Sequence, residues 1–252
     1  MSLPPRFYCP MALASGAEIE LPAGAARHVQ VLRLQPGAPM VLFGAISAPA
    51  ATGPGGEFEA TVLEMGRSTV RARVGPHHAI EREAPRRVHL AIGVPANERM
   101  DWLVEKATEL GAAGVQALMT ERTVVRLDGE RARKRADHWF SIAVAACEQC
   151  GRNRVPQVPA VAPLRQWLAQ QAGEPHGAAG LRLLLSFRAG ARPLRDVVPA
   201  DALQVTVLAG PEGGLSAAEE QQAVEQGFMP VSLGPRVLRA ETAALAALTL
   251  LA

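Results

Sequence analysis

The chain has 252 residues, 48% of them hydrophobic and 20% charged, which supports one large or two small globular cores and excludes a disordered tail. Twenty-six Lys and Arg against 24 Asp and Glu leave a formal charge of +2, so no overall field would drag the protein onto a polyanion. Three cysteines, Cys9, Cys147 and Cys150, are too few and odd in number for a disulfide scaffold.

The first eighty residues read mainly as short strands. Arg6–Cys9, Met40–Phe43, Glu57–Leu63 and Thr69–Val74 are extended runs parted by Gly and Pro, and Ala25–Leu34 is the one helical stretch. Several strands with one helix predict a small β-barrel. Gly44–Gly56 is rich in Ala and Pro, and Pro76–Arg87, with two prolines and two histidines, reads as a linker. After Arg87 the pattern changes. Val88–Val94 is a continuous apolar run, as in a strand covered on both faces. Glu98–Leu110 reads as a helix, Val115–Met119 as a strand and Glu130–Cys150 as a long helix. Leu181–Phe187, Val205–Ala209 and Val231–Leu233 are further strands, with helices at Ala217–Gln226 and Ala240–Leu251. Strands alternating with helices predict a parallel α/β sheet. The expected organisation is a β-barrel domain over 1–80 and an α/β domain over 81–252.

Met1–Phe7 lacks a basic segment followed by an apolar one, and no apolar run approaches the ~20 residues that span a bilayer. A cytoplasmic protein without a membrane partner is expected. Only Lys106 and Lys134 are lysines, so the basic set is almost all arginine. Codon bias gives this, and so does a need for phosphate forks. Arg122, Arg126, Arg131, Arg133, Lys134 and Arg135 face only Asp128 and Glu130 over fourteen residues. Such a run is either a solvated helix face or a phosphate track for RNA. Cys147-Glu-Gln-Cys150 lacks a second cysteine pair at ligand spacing, so helix packing explains it better than metal or redox chemistry, and no metal is expected. GxGxxG after a strand, GxxxxGK[ST], HExxH and GxSxG are all absent, which argues against the enzymes that carry them.

The last third is the informative part. The strand ending at Ala209 runs into Gly210-Pro211-Glu212-Gly213-Gly214, and Ser216-Ala-Ala-Glu219 is a capping box that starts a helix. A glycine-rich turn at such a corner exposes N–H groups and admits a flat ligand, or is simply a tight loop. Gly234 to Arg239 forms a second corner after Val231–Leu233, followed by Glu241-Thr242 at a helix start. Leu184–Arg188 offers a third. Loops from the carboxyl ends of neighbouring strands would face one crevice, where open α/β sheets place ligands. Leu208, Leu233 and Leu238 would supply its apolar walls.

GPEGGLSAAE (210–219) and LGPRVLRAETA (233–243) resemble the cofactor-binding motifs of the RsmE-type ribosomal RNA uridine N3-methyltransferases, in the SPOUT class with its trefoil-knotted C-terminal chain. Pro5-Arg6-Phe7 and His28–Arg33 resemble that family's PUA-like RNA-binding barrel. Lys106–Gly111, Glu121-Arg122 and Ala146–Asn153 resemble its central motifs, in the same order along the chain.

The resemblance implies S-adenosylmethionine as methyl donor, a homodimer, and N3 of one uridine in 16S rRNA of the small ribosomal subunit as target. Its cofactor would contact Leu185, Gly210, Gly214, Leu233, Gly234 and Leu238. Ser186, Leu208, Pro211, Gly213, Val237 and Thr242 complete the expected cofactor set. Arg6, Arg33, Arg122, Arg126 and Arg152 are the expected RNA contacts. Arg239 would orient the uracil or stabilise its developing charge, with Glu241 or Glu212 accepting the N3 proton. Glu241 capping its helix and pairing with Arg239 is an equal alternative. A non-catalytic rRNA-binding or ribosome-assembly protein and a ribose 2′-O-methyltransferase are the competing functions.

Overall fold

A computed structural model describes residues 4–44, 55–96, 98–171 and 180–252. Most of the Ala/Pro-rich stretch 44–56 thus lies outside the described residues. Contacts divide the chain into two compact units, Met1–Glu83 with Val144–Val155, and Ala84–Ala143 with Pro156–Ala252.

The first unit holds a five-stranded sheet. Its strands are β1 (Arg6–Tyr8), β2 (Glu18–Glu20), β3 (Pro39–Phe43), β4 (Glu57–Met65) and β5 (Val70–His78), with helix α1 (Ala23–Val31). The spatial order is β1-β3-β4-β5-β2, antiparallel except for the β1–β3 pair. Buried side chains alternate along β4 and β5, as they must when one face of a sheet covers a core. Phe7, Leu42, Phe58, Val62, Val70 and Val74 pack there against Ala25, Ala26 and Val29 of α1. The expected linker begins later than Pro76, because β5 continues to His78. Glu59 alone on β4 faces Gly75 and Pro76 on β5, so a bulge absorbs the proline that the ladder could not.

The second unit is a seven-stranded, wholly parallel sheet. Its strands are β6 (Arg87–Gly93), β7 (Gly114–Met119), β8 (Ala162–Pro163), β9 (Leu181–Leu185), β10 (Arg192–Pro193), β11 (Gln204–Ala209) and β12 (Met229–Ser232). The order is β10-β12-β9-β11-β6-β7-β8. The helices are α2 (Arg99–Glu109), α3 (Gly129–Cys150), α4 (Leu164–Gln171), α5 (Ala217–Glu225) and α6 (Ala240–Leu251). Residues from Val144 onward in α3 belong to the first unit. Ala91, Leu118, Leu184 and Leu208 on one face of the sheet pack with Leu164, Trp167 and Leu168 of α4 and with Ala223 of α5. Alternation sends Leu90, Ile92, Leu183 and Val207 to the other face, where α6 packs on β6 and β11 and on α2. This is the mixed α/β architecture with a parallel C-terminal sheet that the SPOUT resemblance implies. The fold sets three loops side by side, after β12, β9 and β11, at the carboxyl edge.

Candidate active site

Those three loops enclose a cavity of about 740 Å³ in the second unit, within the ~300–1,000 Å³ usual for small-molecule sites. Leu185, Leu215, Leu233 and Leu238 supply aliphatic wall. Gly214 at φ +68° and Gly234 at φ +108° occupy left-handed backbone that favours glycine, and a Cβ on either would meet open space. The backbone at both corners is therefore bare toward the cavity. Gly210 is needed for a different reason. A Cβ there would lie 2.5 Å from the carbonyl carbon of Gly214 and 2.6 Å from Leu215 N, so the loop could not fold back on itself.

The α5 corner is built as its sequence requires. Ser216 Oγ accepts the Glu219 N–H at 3.2 Å, and Glu219 Oε2 accepts the Ser216 N–H at 2.8 Å. The other Glu219 oxygen accepts the Glu121 N–H at 2.8 Å, tying in the loop after β7. Ser186 Oγ donates to the Glu220 carboxylate at 2.9–3.0 Å and accepts the Arg188 N–H at 3.0 Å, which orders the loop after β9. Glu220 lines the cavity, and its role there has no signal in the sequence beyond a place in the first turn of a helix.

Of the expected cofactor residues, Leu185, Ser186, Gly210, Pro211, Gly213, Gly214, Leu233, Gly234, Val237 and Leu238 all line this cavity. Leu208 is fully buried in the sheet behind it, and Thr242 is exposed on α6 outside the lining. Arg239 lines the cavity as the N-cap residue of α6 and makes no ion pair within 4 Å among the described residues. Glu241, 7% exposed, lies outside the lining, and its Oε2 is buried with no hydrogen-bond partner among the described residues. The alternative in which Arg239 pairs with Glu241 is not seen among the described residues. Glu212 lines the cavity with Oε1 occupied by the Arg99 guanidinium and the Ala96 N–H, each at 2.9 Å.

The expected RNA contacts scatter. Arg122 stands at the cavity, donating to the Gly213 carbonyl at 2.7 Å, while Arg126 is exposed beyond it. In the first unit Arg33 is exposed, in left-handed backbone at φ +55° just past α1. Arg6 and Arg152 are turned inward instead. Arg6 pairs with Glu57 at 2.6 Å and donates to Asn153 Oδ1 at 2.6 Å, with its face on Phe43. Arg152 is 5% exposed and grips the Glu83 carboxylate through Nε at 2.9 Å and through Nη2. Both arginines serve the interior of that unit. Glu57 is shared by Arg6 and Arg82. Burial pushes its carboxyl up, and the hydrogen bonds and charges of Arg82 and Arg6 outweigh burial and hold it at about 2.

Comparison with known proteins settles the lineage. Residues 82–252 match the RNA methyltransferase domain family. Ribosomal RNA small subunit methyltransferase E of Bacillus subtilis is 35% identical over 176 residues, 67% of this chain and 66% of that one. The protein of that name from Mycobacterium bovis is 32% identical over 218 residues, 86% of this chain and 79% of its own. The chain belongs to the ribosomal RNA small subunit methyltransferase E family. A crystal structure of the Neisseria gonorrhoeae methyltransferase E, bound to S-adenosyl methionine, superposes with a TM-score of 0.86 at 35% identity, covering 98% of this chain and 96% of that one.

In this methyltransferase E homologue Cys147 of the cysteine motif and Cys9 are both buried, and Cys150 is half-buried. Burial pushes the Cys9 and Cys147 thiols up to about 12, and Cys147 Sγ donates to the Arg154 carbonyl at 3.6 Å. Among the described residues no cluster of His, Cys, Asp and Glu could hold a metal ion, and no helix is long and apolar enough to cross a membrane.

Proposed function

We propose that this protein methylates N3 of one uridine in 16S rRNA of the small ribosomal subunit, with S-adenosylmethionine as donor. The observation that carries the reading is the convergence of three strand-end loops on one cavity, in a chain whose gonococcal relative holds that cofactor in the same fold. The cavity suits the donor: aliphatic walls, glycine backbone open toward the space, and a volume fit for a nucleoside with a side arm. Leu185, Gly210, Gly214, Leu233, Gly234 and Leu238 would hold it.

When bound, the cofactor supplies a methyl group on a sulfonium, already an activated leaving group. The protein's share is alignment, exclusion of water and management of one proton. The uracil N3–H must be lost as the N–C bond forms, and negative charge then spreads to O2 and O4. Arg239, at the cavity wall and without an ion-pair partner among the described residues, is placed to stabilise that charge. Glu241, two residues on, is buried outside the cavity lining with an oxygen unpartnered among those residues, so it takes the proton only through a path that opens as the RNA binds. N3 lies on the Watson–Crick edge, so the target base must be unpaired or flipped to enter.

Five arginines line the cavity (Arg99, Arg122, Arg188, Arg236 and Arg239) against two carboxylates, Glu212 and Glu220. This local excess of positive charge supports an RNA-facing mouth in a protein whose net charge is only +2. Exposed Trp102 on α2 and Leu250 on α6, helices that pack on each other, support a homodimer through that side. The enzyme acts in the cytoplasm, where its RNA is made.

The test is transfer of labelled methyl from S-adenosylmethionine to small-subunit rRNA or to isolated small subunits. Incorporation is expected. Cofactor binding without incorporation into either substrate would instead support the rRNA-binding, non-catalytic function.

A further inference from the structure

The glycine-rich loop after β11 is strapped by residues about ninety or more positions earlier in the chain. Glu212 Oε1 accepts from Arg99 Nη1 and from the Ala96 N–H, each at 2.9 Å, so the first turn of α2 and the loop before it grip one side. Arg122 Nη1 donates to the Gly213 carbonyl at 2.7 Å from the loop after β7. A loop containing Gly210, Gly213 and Gly214 has much backbone entropy to lose when a ligand binds, and a contact that strengthens as the cavity fills offsets part of that cost.

We propose that Arg99 is a positioning residue for the cofactor: through Glu212 it holds the Gly210–Leu215 loop in the shape that receives S-adenosylmethionine, and Glu212 is a brace rather than the proton acceptor. This rests on the cofactor assignment above. The chemistry of Glu212 agrees, since accepting a proton would forfeit its ion pair with Arg99. The pair is partly exposed, with side chains 37% and 30% accessible, so in the empty protein it is screened and contributes little. Filling the cavity removes water beside it and strengthens it. Its effect is therefore felt in cofactor affinity and hardly at all in the stability of the free protein.

Calorimetric titration of the full chain with S-adenosylmethionine tests this. Arg99→Ala should weaken binding about 5- to 10-fold, with the free protein melting within about 2 °C of wild type. Arg99→Lys should keep most of the affinity, because only one guanidinium nitrogen is used on Glu212. Glu212→Gln should weaken binding as Arg99→Ala does, and the double variant should be no worse than the more severe single one, the mark of a shared contact. In turnover assays the loss should fall on KM for the cofactor more than on kcat. Unchanged affinity in Arg99→Ala, additive losses in the double variant, or a loss matched by a lower melting temperature would each overturn the brace. If wild type itself fails to bind, the cofactor assignment falls and this proposal with it. If wild type binds and Arg99→Ala binds equally well, only the brace falls.

Discussion

A Cβ on Gly93 would lie 2.5 Å from Pro211 Cδ and 2.7 Å from Pro211 N, so the bare backbone at the end of β6 packs directly on the proline ring that starts the glycine-rich loop. No side chain fits between them. Gly93→Ala should displace the loop at an overpacking cost of about 1–3 kcal/mol. S-adenosylmethionine affinity should drop at least tenfold while circular dichroism stays native. Wild-type affinity in that variant would show that the contact has no bearing on the cavity.

Arg239 and Glu241 should separate chemistry from binding. Arg239→Ala and Glu241→Gln are each expected to lower kcat about 10²-fold, the usual scale for losing an acid–base or charge-stabilising group, at nearly constant cofactor affinity. Parallel loss of affinity would give them a part in holding the cofactor instead, and near-normal turnover would remove them from the mechanism.

Glu57 makes the first unit sensitive to acid. Its carboxyl sits at about 2 in the folded protein and near 4.5 in an ordinary setting. A depressed carboxylate stabilises the fold above the higher value and loses that contribution as pH falls toward the lower. Urea unfolding followed between pH 5 and 2 should show a steeper loss in wild type than in Glu57→Gln. Identical slopes would mean the Arg6–Glu57–Arg82 cluster contributes nothing.

The five arginines expected on RNA should divide into two groups. Arg33→Glu and Arg126→Glu should each reduce the salt slope of rRNA binding, by about 0.7–0.9 for every phosphate the side chain had neutralised. Arg152→Ala should instead cost about 1–3 kcal/mol of stability, because half-buried Glu83 loses the two hydrogen bonds of its charged partner. A stable Arg152→Ala protein with a reduced salt slope would return that residue to the RNA surface.

The corner at Gly210–Glu219 could be read from sequence because its information is local. Glycines, a capping box and a flanking apolar strand lie within twenty residues of one another. The second corner at Gly234–Arg239 was legible for the same reason. What escaped depends on distance along the chain. Nothing near Glu212 announces Arg99, 113 residues away, and nothing in the basic residues themselves marks Arg6 and Arg152 as paired inward with Glu57 and Glu83. Strands β2, β8 and β10 are two or three residues long and lie at sheet edges, too short for periodicity to register. The long helix α3 reads as one unit in sequence, yet its end from Val144 packs with the β-sheet of the first unit, because Glu148 accepts the Tyr8 N–H at 3.0 Å and faces His28 at 2.9 Å.

The measurement that bears most directly on the central claim is nucleoside mass spectrometry of small-subunit rRNA after incubation with the enzyme and S-adenosylmethionine. The account predicts one new 3-methyluridine per rRNA, formed about 10²-fold more slowly when Arg239 is replaced by Ala. A 2′-O-methylated nucleoside in its place would contradict the assignment of N3, and unmodified rRNA recovered from a reaction in which the cofactor was bound would contradict the enzyme itself.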